Sequence, residues 1–243
     1  MTRNSFVRLH IGTSGWCYPH WRGPFYPADL PESAWLAYYG RQFGSVEVNR
    51  SFYRLPGREN FRAWHDATPA DFVFAVKASR YITHMKKLTD PYRTLPPLLE
   101  AVAGLGGKLG PLLFQLPPRW RLNAARLEAF LSALPPGVRA AFEFRDPGWH
   151  ADAVLDLLAR HGAAFCVYDL AGFSSPRVVT ADFAYLRLHG PDAAYRGCYG
   201  SRRLADWAAW LRDQPLKEGY VYFDNDQAAH AVRDALELQA MLA

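Results

Sequence analysis

Nine polar side chains in this chain stand near the C-terminal ends of short apolar runs, and their types suit acid–base chemistry on an anionic ligand. They are Glu47 and Asn49, Lys77, Gln115, Glu143 and Arg145, Arg187 and His189, and Asp224. The three cations are matched by three carboxylates. A phosphate, a carboxylate or a phosphosugar fits such a mixture, because guanidinium and ammonium groups hold anions through charge-assisted hydrogen bonds. In this reading Arg145 and Arg187 hold the anion, and Glu143 or Asp224 is the general base. Lys77 or His189 is the general acid or an electrostatic stabiliser. No cofactor is expected. The alternative is a divalent metal on Glu143, His189 and Asp224, for which the cations would compete as partners of the carboxylates.

Aromatic residues follow these runs: Trp16, Tyr18 and Trp21; Phe52 and Tyr53; Tyr81, with His84; Trp149, with His150; and Tyr195 and Tyr199 within Gly190–Gly200. They form either a stacking surface for sugars or bases, or a minor core that caps the structure. Trp16, Glu47, Asn49, Tyr53, His84, Gln115 and Asn225 join the two arginines as candidate ligand contacts. The glycine-containing segment 190–200 is a candidate lid.

The runs that position these groups are Val7–Thr13, Ser45–Val48, Phe72–Ala78, Pro111–Leu116, Arg139–Phe144, Ala164–Tyr168, Phe183–Leu188 and Gly219–Phe223. Each is short, and several are rich in Val, Phe or Tyr, as strands are. Helical patterns lie between them at Pro31–Phe43, Arg58–Ala67, Leu95–Leu105, Asn123–Leu134, Ala151–His161, Ser201–Leu211 and Asp226–Leu242. The segment Ala171–Asp182 contains Pro176 and reads as irregular. Eight alternating strand–helix units predict one (β/α)8 TIM-type barrel spanning residues 1–243. Alternate strand residues then face the barrel interior, and the polar ends cluster at the face where barrel active sites lie. An open doubly wound sheet is the alternative, but Ser14-Gly15-Trp16-Cys17-Tyr18-Pro19 after the first run is bulky rather than glycine-rich.

Composition narrows the class. The chain has 243 residues, half of them hydrophobic, enough for a large core. It has no apolar stretch long enough to span a bilayer. Met1–Arg8 lacks the apolar centre of a signal peptide. Three cysteines (Cys17, Cys166 and Cys198) with no CxxC pair argue against a disulfide framework or a four-cysteine zinc site, so a cytoplasmic protein is expected. The net charge of +5 and pI of about 9.1 are compatible with acidic ligands or nucleic acid. Nothing in the residues sets an oligomeric state.

Sharper motifs fail. Gly12-Thr13-Ser14-Gly15-Trp16 has Trp where a nucleophile elbow needs its second glycine. Gly104-Leu105-Gly106-Gly107-Lys108-Leu109 precedes a strand and lacks the Ser/Thr of a phosphate loop, so it reads as a helix end and turn. Cys17 is a lone loop cysteine.

Several strand-end segments carry a family resemblance: Ile11-Gly12-Thr13-Ser14-Gly15-Trp16, Trp21-Arg22-Gly23-Pro24-Phe25-Tyr26-Pro27, Val46-Glu47-Val48-Asn49-Arg50-Ser51-Phe52-Tyr53 and Phe74-Ala75-Val76-Lys77. To these are added Leu113-Phe114-Gln115-Leu116-Pro117-Pro118, Phe142-Glu143-Phe144-Arg145, Arg187-Leu188-His189-Gly190 and Tyr222-Phe223-Asp224-Asn225-Asp226. On these the chain resembles the YecE-like family, a domain of unknown function with a TIM-barrel fold. Asp224 departs from the pattern, which leads one to expect Asn there. The resemblance implies fold and site location but no reaction. The residues themselves point to an enzyme binding a small anionic ligand. The rival readings are a nucleic-acid binding or processing barrel, similar in architecture to apurinic-site endonucleases, and a non-catalytic binding barrel.

Overall fold

The computed structural model describes residues 7–243, and the eight apolar runs form eight parallel strands in it. They are β1 (Arg8–Thr13), β2 (Ser45–Val48), β3 (Val73–Lys77), β4 (Leu109–Leu116), β5 (Ala140–Phe144), β6 (Ala164–Leu170), β7 (Phe183–Leu188) and β8 (Glu218–Phe223). The hydrogen-bonded order is β1-β8-β7-β6-β5-β4-β3-β2, so the sheet wraps round until β1 faces β2. That last seam is closed by particular groups rather than by a regular ladder. Gly15 N–H donates to Glu47 O at 2.8 Å. The Tyr39 hydroxyl accepts from Thr13 N–H at 2.9 Å and donates to Ser45 O at 3.1 Å. A Cβ on Gly12 would sit 2.1 Å from Ser45 O, so glycine is what lets the two strands approach. The product is a nearly closed (β/α)8 TIM-type barrel.

The helices are α1 (Trp35–Tyr39), α2 (Arg58–Asp66), α3 (Pro91–Val102), α4 (Ala124–Ser132), α5 (Asp152–Arg160), α6 (Gly200–Asp213) and α7 (His230–Leu242). Asn123 caps α4, its side-chain oxygen accepting from Arg126 N–H at 3.0 Å. Three helices differ from the sequence reading for local reasons. The predicted Pro31–Phe43 helix is a tight turn, Glu32–Ala34, leading into a five-residue α1 that stops at Gly40. α3 begins at Pro91 rather than Leu95, because proline fits the first helical position. α7 begins at His230 rather than Asp226, because Ala228 and Ala229 adopt left-handed backbone. The segment 104–108, read as a helix end and turn, continues α3 as a 3-10 helix, Ala103–Lys108, broken at Gly106, and it packs so closely that a Cβ on Gly104 would sit 2.3 Å from Arg58 O.

After β6 the chain makes no helix. It reverses at Ala171–Gly172 and pairs Phe173–Ser174 antiparallel to the end of β6. Two cores result. The larger lies between strands and helices. The smaller fills the barrel with Ala75, Leu113, Ala141, Ala164, Cys166, Phe183, Tyr185, Tyr220 and Tyr222. No helix of the described residues is long and apolar enough to cross a membrane. Most of the segment Met1–Arg8, read above for a signal peptide, lies outside the described residues.

Candidate ligand site at the barrel mouth

Side chains alternate across a strand, so counting in twos from the interior core names what stands above it. Ala75 leads to Lys77 on β3, and Leu113 to Gln115 on β4. Ala141 leads to Glu143 and Arg145 on β5 and just beyond it. Tyr185 leads to Arg187 and His189 on β7 and just beyond it, and Tyr222 to Asp224 after β8. All therefore share the interior face at the C-terminal end.

Arg187 is the hub. It is fully buried, as are Glu47 and Glu143. Its Nε donates to Glu47 at 3.0 Å, and its Nη2 to the same carboxylate at 2.8 Å. Nη1 donates to Glu143 at 2.7 Å, and Nη2 also lies 3.3 Å from Asp224. Glu47 further accepts from the hydroxyls of Ser14 and Tyr185. The anion-holding role read for Arg187 does not survive this placement. Three carboxylates consume its donors, and no solvent reaches it.

His189 links this buried layer to the rim. Its Nδ1 lies 2.9 Å from Asp224, and its Nε2 lies 2.9 Å from Arg145 Nη2. Arginine only donates, so Nε2 is the acceptor and the proton sits on Nδ1, donated to Asp224. Arg145 also donates to Glu143 and lies over the Tyr168 ring at 4.9 Å. Burial alone would raise the Glu143 carboxyl, but Arg145 and Arg187 override it and hold it well below the usual range. Burial likewise opposes ionisation of Asp224, and the His189 hydrogen bond and Arg187 bring it below its ordinary value. These carboxylates are held as anions by the arginines. Among the described residues no group of three His, Cys, Asp or Glu side chains is disposed to hold a metal ion.

Lys77 stands apart. It is 7% exposed, and its Nζ lies 4.4 Å above the Phe52 ring without a hydrogen-bonding partner among the described residues. Desolvation, reinforced by Arg187, holds its amine down at about 8. His84 packs on Phe52 at 4.9 Å, and its proton affinity is lowered by burial and then by Lys77.

Two clefts flank this centre. One, of about 500 Å³, is lined by Gln115, Arg145, Tyr168, Phe173 and Tyr195 among others. The second, of about 590 Å³, is lined by Trp16, Tyr18, Asn49, Arg50, Tyr53 and Trp64 among others. Asn49 Oδ1 is buried there with no hydrogen-bonding partner among the described residues. The mouth aromatics thus divide. Trp21, Trp149 and Tyr199 are core, whereas Trp16, Tyr53 and Tyr195 line clefts.

Asn225 does not join the site. It is fully buried, and its Nδ2 donates to Gly197 O at 2.8 Å and to Asp234 at 2.7 Å. It anchors the segment 190–200 to α7. Sequence reading passed over Ser14, Tyr168 and Tyr185. All three lie on the inward count of their strands, which is the signal that would have found them.

The model of a protein family of unknown function, DUF72, matches residues 10–243. The UPF0759 protein YunF of Bacillus subtilis (strain 168) is 25% identical over 96% of this chain and 94% of its own length. The crystal structure of a DUF72 family protein from Thermotoga maritima MSB8 superposes with a TM-score of 0.82 at 28% identity, over 97% of this chain and 99% of that one. A second DUF72 structure, from Enterococcus faecalis V583, gives a TM-score of 0.81 at 20% identity over 98% and 99% of the two chains, a likeness of fold. With residues 10–243 covered by the family model, this chain belongs to the DUF72 family of proteins of unknown function.

Proposed function

We propose that the barrel mouth binds a small anionic molecule, a phosphorylated or carboxylated compound such as a sugar phosphate. We further propose that, as a YecE-like enzyme, the protein turns it over by acid–base chemistry without a resident metal. One observation carries the reading. The hub carboxylates Glu47, Glu143 and Asp224 have their partners, while Lys77, Arg145 and Gln115, at or near the rim, keep donors unused among the described residues. A ligand entering the mouth meets donors, which is the arrangement an anion needs. Arg145 turning toward that anion leaves His189 Nε2 with its 3.3 Å contact to Arg187 Nη1, on a ring oriented by Asp224. Lys77 supplies a second proton-transfer group poised near neutral pH.

The test is a thermal-shift and calorimetric screen with inorganic phosphate, sugar phosphates and organic acids, on wild type and Arg145→Gln. Binding by wild type that is weakened at least tenfold in the variant is expected. A ligand at 100 times its Kd stabilises by about 2.7 kcal/mol. Absence of any small-anion effect would overturn the reading.

A second reading, nucleic-acid binding, is favoured by where the charge lies. Residues 50–93 hold nine basic residues against four acidic ones, a surplus equal to the +5 of the entire chain. Tyr53, Tyr81 and Tyr92 are 74%, 47% and 79% exposed in the same segment. Cations with exposed rings suit single strands. Salt-sensitive oligonucleotide binding that disappears in Tyr53→Ala would establish it, and salt-insensitive or absent binding would dismiss it.

A further inference from the structure

Two of the five lysines in this chain are buried, and in opposite ways. The Lys108 ammonium donates to His65 O at 2.5 Å, Thr68 O at 2.8 Å and Thr68 Oγ1 at 3.2 Å. Three donors meet three acceptors, so Lys108 is a satisfied cation that closes the end of α2. Lys77 is as deeply placed, yet its nitrogen faces the ring of Phe52 and finds no acceptor among the described residues. Taking an ammonium largely out of water and onto an aromatic face costs more than placing a neutral amine there, because the charged form loses more hydration. Burial and the neighbouring Arg187 accordingly hold this amine at about 8. Composition points the same way. Of 28 basic residues, 23 are arginine. Where a fixed charge suffices, this chain mostly uses a guanidinium. A lysine at the end of β3 offers what a guanidinium does not, a nitrogen that sheds its proton within reach of neutral pH.

We propose that Lys77 is a nucleophile that forms an imine with an aldehyde or ketone substrate carrying an anionic group, an oxo acid or a sugar phosphate. This rests on the anion-binding reading of the mouth. The Nζ lone pair attacks the carbonyl carbon, the C=O π pair moves to oxygen, and the oxygen takes a proton from the nitrogen to give a carbinolamine. The nitrogen lone pair then expels the hydroxyl, which leaves as water with one proton from solvent. The product is a protonated iminium, and no electrons are gained or lost overall. Its positive charge forms within the field of Glu47, Glu143 and Asp224, the same carboxylates that act on the Lys77 ammonium. The backbone that presents the amine is pinned, since Ser51 Oγ donates to Lys77 O at 2.6 Å.

The experiment is reductive trapping. Full-length protein is incubated with glyoxylate, pyruvate or glyceraldehyde 3-phosphate and cyanoborohydride, and then analysed by intact mass and peptide mapping. One reduced adduct is expected at Lys77, forming at least tenfold faster than at Lys86, Lys87 or Lys217. Inorganic phosphate should slow it, and raising the pH toward 8 should speed it. Lys77→Arg should lose the adduct, and wild-type protein should be shown to bind phosphate in the same preparation. Adducts confined to the other lysines, or no trapping in protein that binds phosphate, would overturn the imine alone. Failure to bind phosphate or any other small anion would instead take down the anion reading beneath it.

Discussion

Replacing Lys77 by Met should make the protein more stable at neutral pH, an unusual direction for a substitution inside a barrel. The folded protein holds this amine at about 8 against an ordinary value of 10.5. That gap is worth about 3 kcal/mol in favour of the neutral form. The ring of Phe52, 4.4 Å from Nζ, returns about 0.5–1 kcal/mol to the cation. Methionine has similar length and no charge, so the net gain is about 2 kcal/mol. Below pH 8 the lysine is protonated both folded and unfolded, and the full cost is present. Between 8 and 10.5 the unfolded chain binds the proton and the folded one does not, so stability rises with pH and the cost fades. The advantage of Lys77→Met should therefore be largest at pH 7 and below, and vanish above 10.5. Urea unfolding of both proteins at pH 7 and across the alkaline range, at matched m-values, measures it. A Met variant less stable than wild type at pH 7, or a gain that ignores pH, would refute the reasoning.

Tyr39→Phe should lose about 1–3 kcal/mol in chemical denaturation, because Thr13 N–H and Ser45 O are left without their partner at the barrel seam. An unchanged midpoint would show that the seam does not depend on this hydroxyl. Arg187→Met should cost about 3–5 kcal/mol at neutral pH, since it strands three buried carboxylates. Glu143 and Asp224 are depressed in the folded wild type, so their contribution is present at neutral pH and lost as pH falls through those lowered values. The variant should close part of its deficit on acidification, read by melts from pH 7 to 3. A constant deficit would mean that charge is not the cause. Asp234→Ala removes the acceptor of Cys198, Tyr199 N–H and Asn225. Amide exchange and proteolysis within 190–200 should quicken while strand amides stay protected, and uniform loosening would contradict this.

The alternation of side chains along strands makes much of this site legible in the sequence. Glu47, Lys77, Gln115, Glu143, Arg145, Arg187, His189 and Asp224 fall on one parity because a strand has a period of two. The same count, carried one residue further, places Asn225 on the opposite face, toward Asp234. Helix starts were less legible, since Ala228 and Ala229 take left-handed backbone that their side chains do not announce. Local sequence therefore determined which face each polar group shares. Depth was beyond it. Arg187, Arg145 and Lys77 look alike in sequence, yet one is a saturated hub, one a rim donor and one an amine facing the ring of Phe52. Only the closed barrel decides this, because how far each strand end rises depends on the stagger between strands. Which carboxylate meets which cation depends on that stagger too, as does the seam where Gly12, Thr13, Tyr39 and Ser45 bring the first and second strands together.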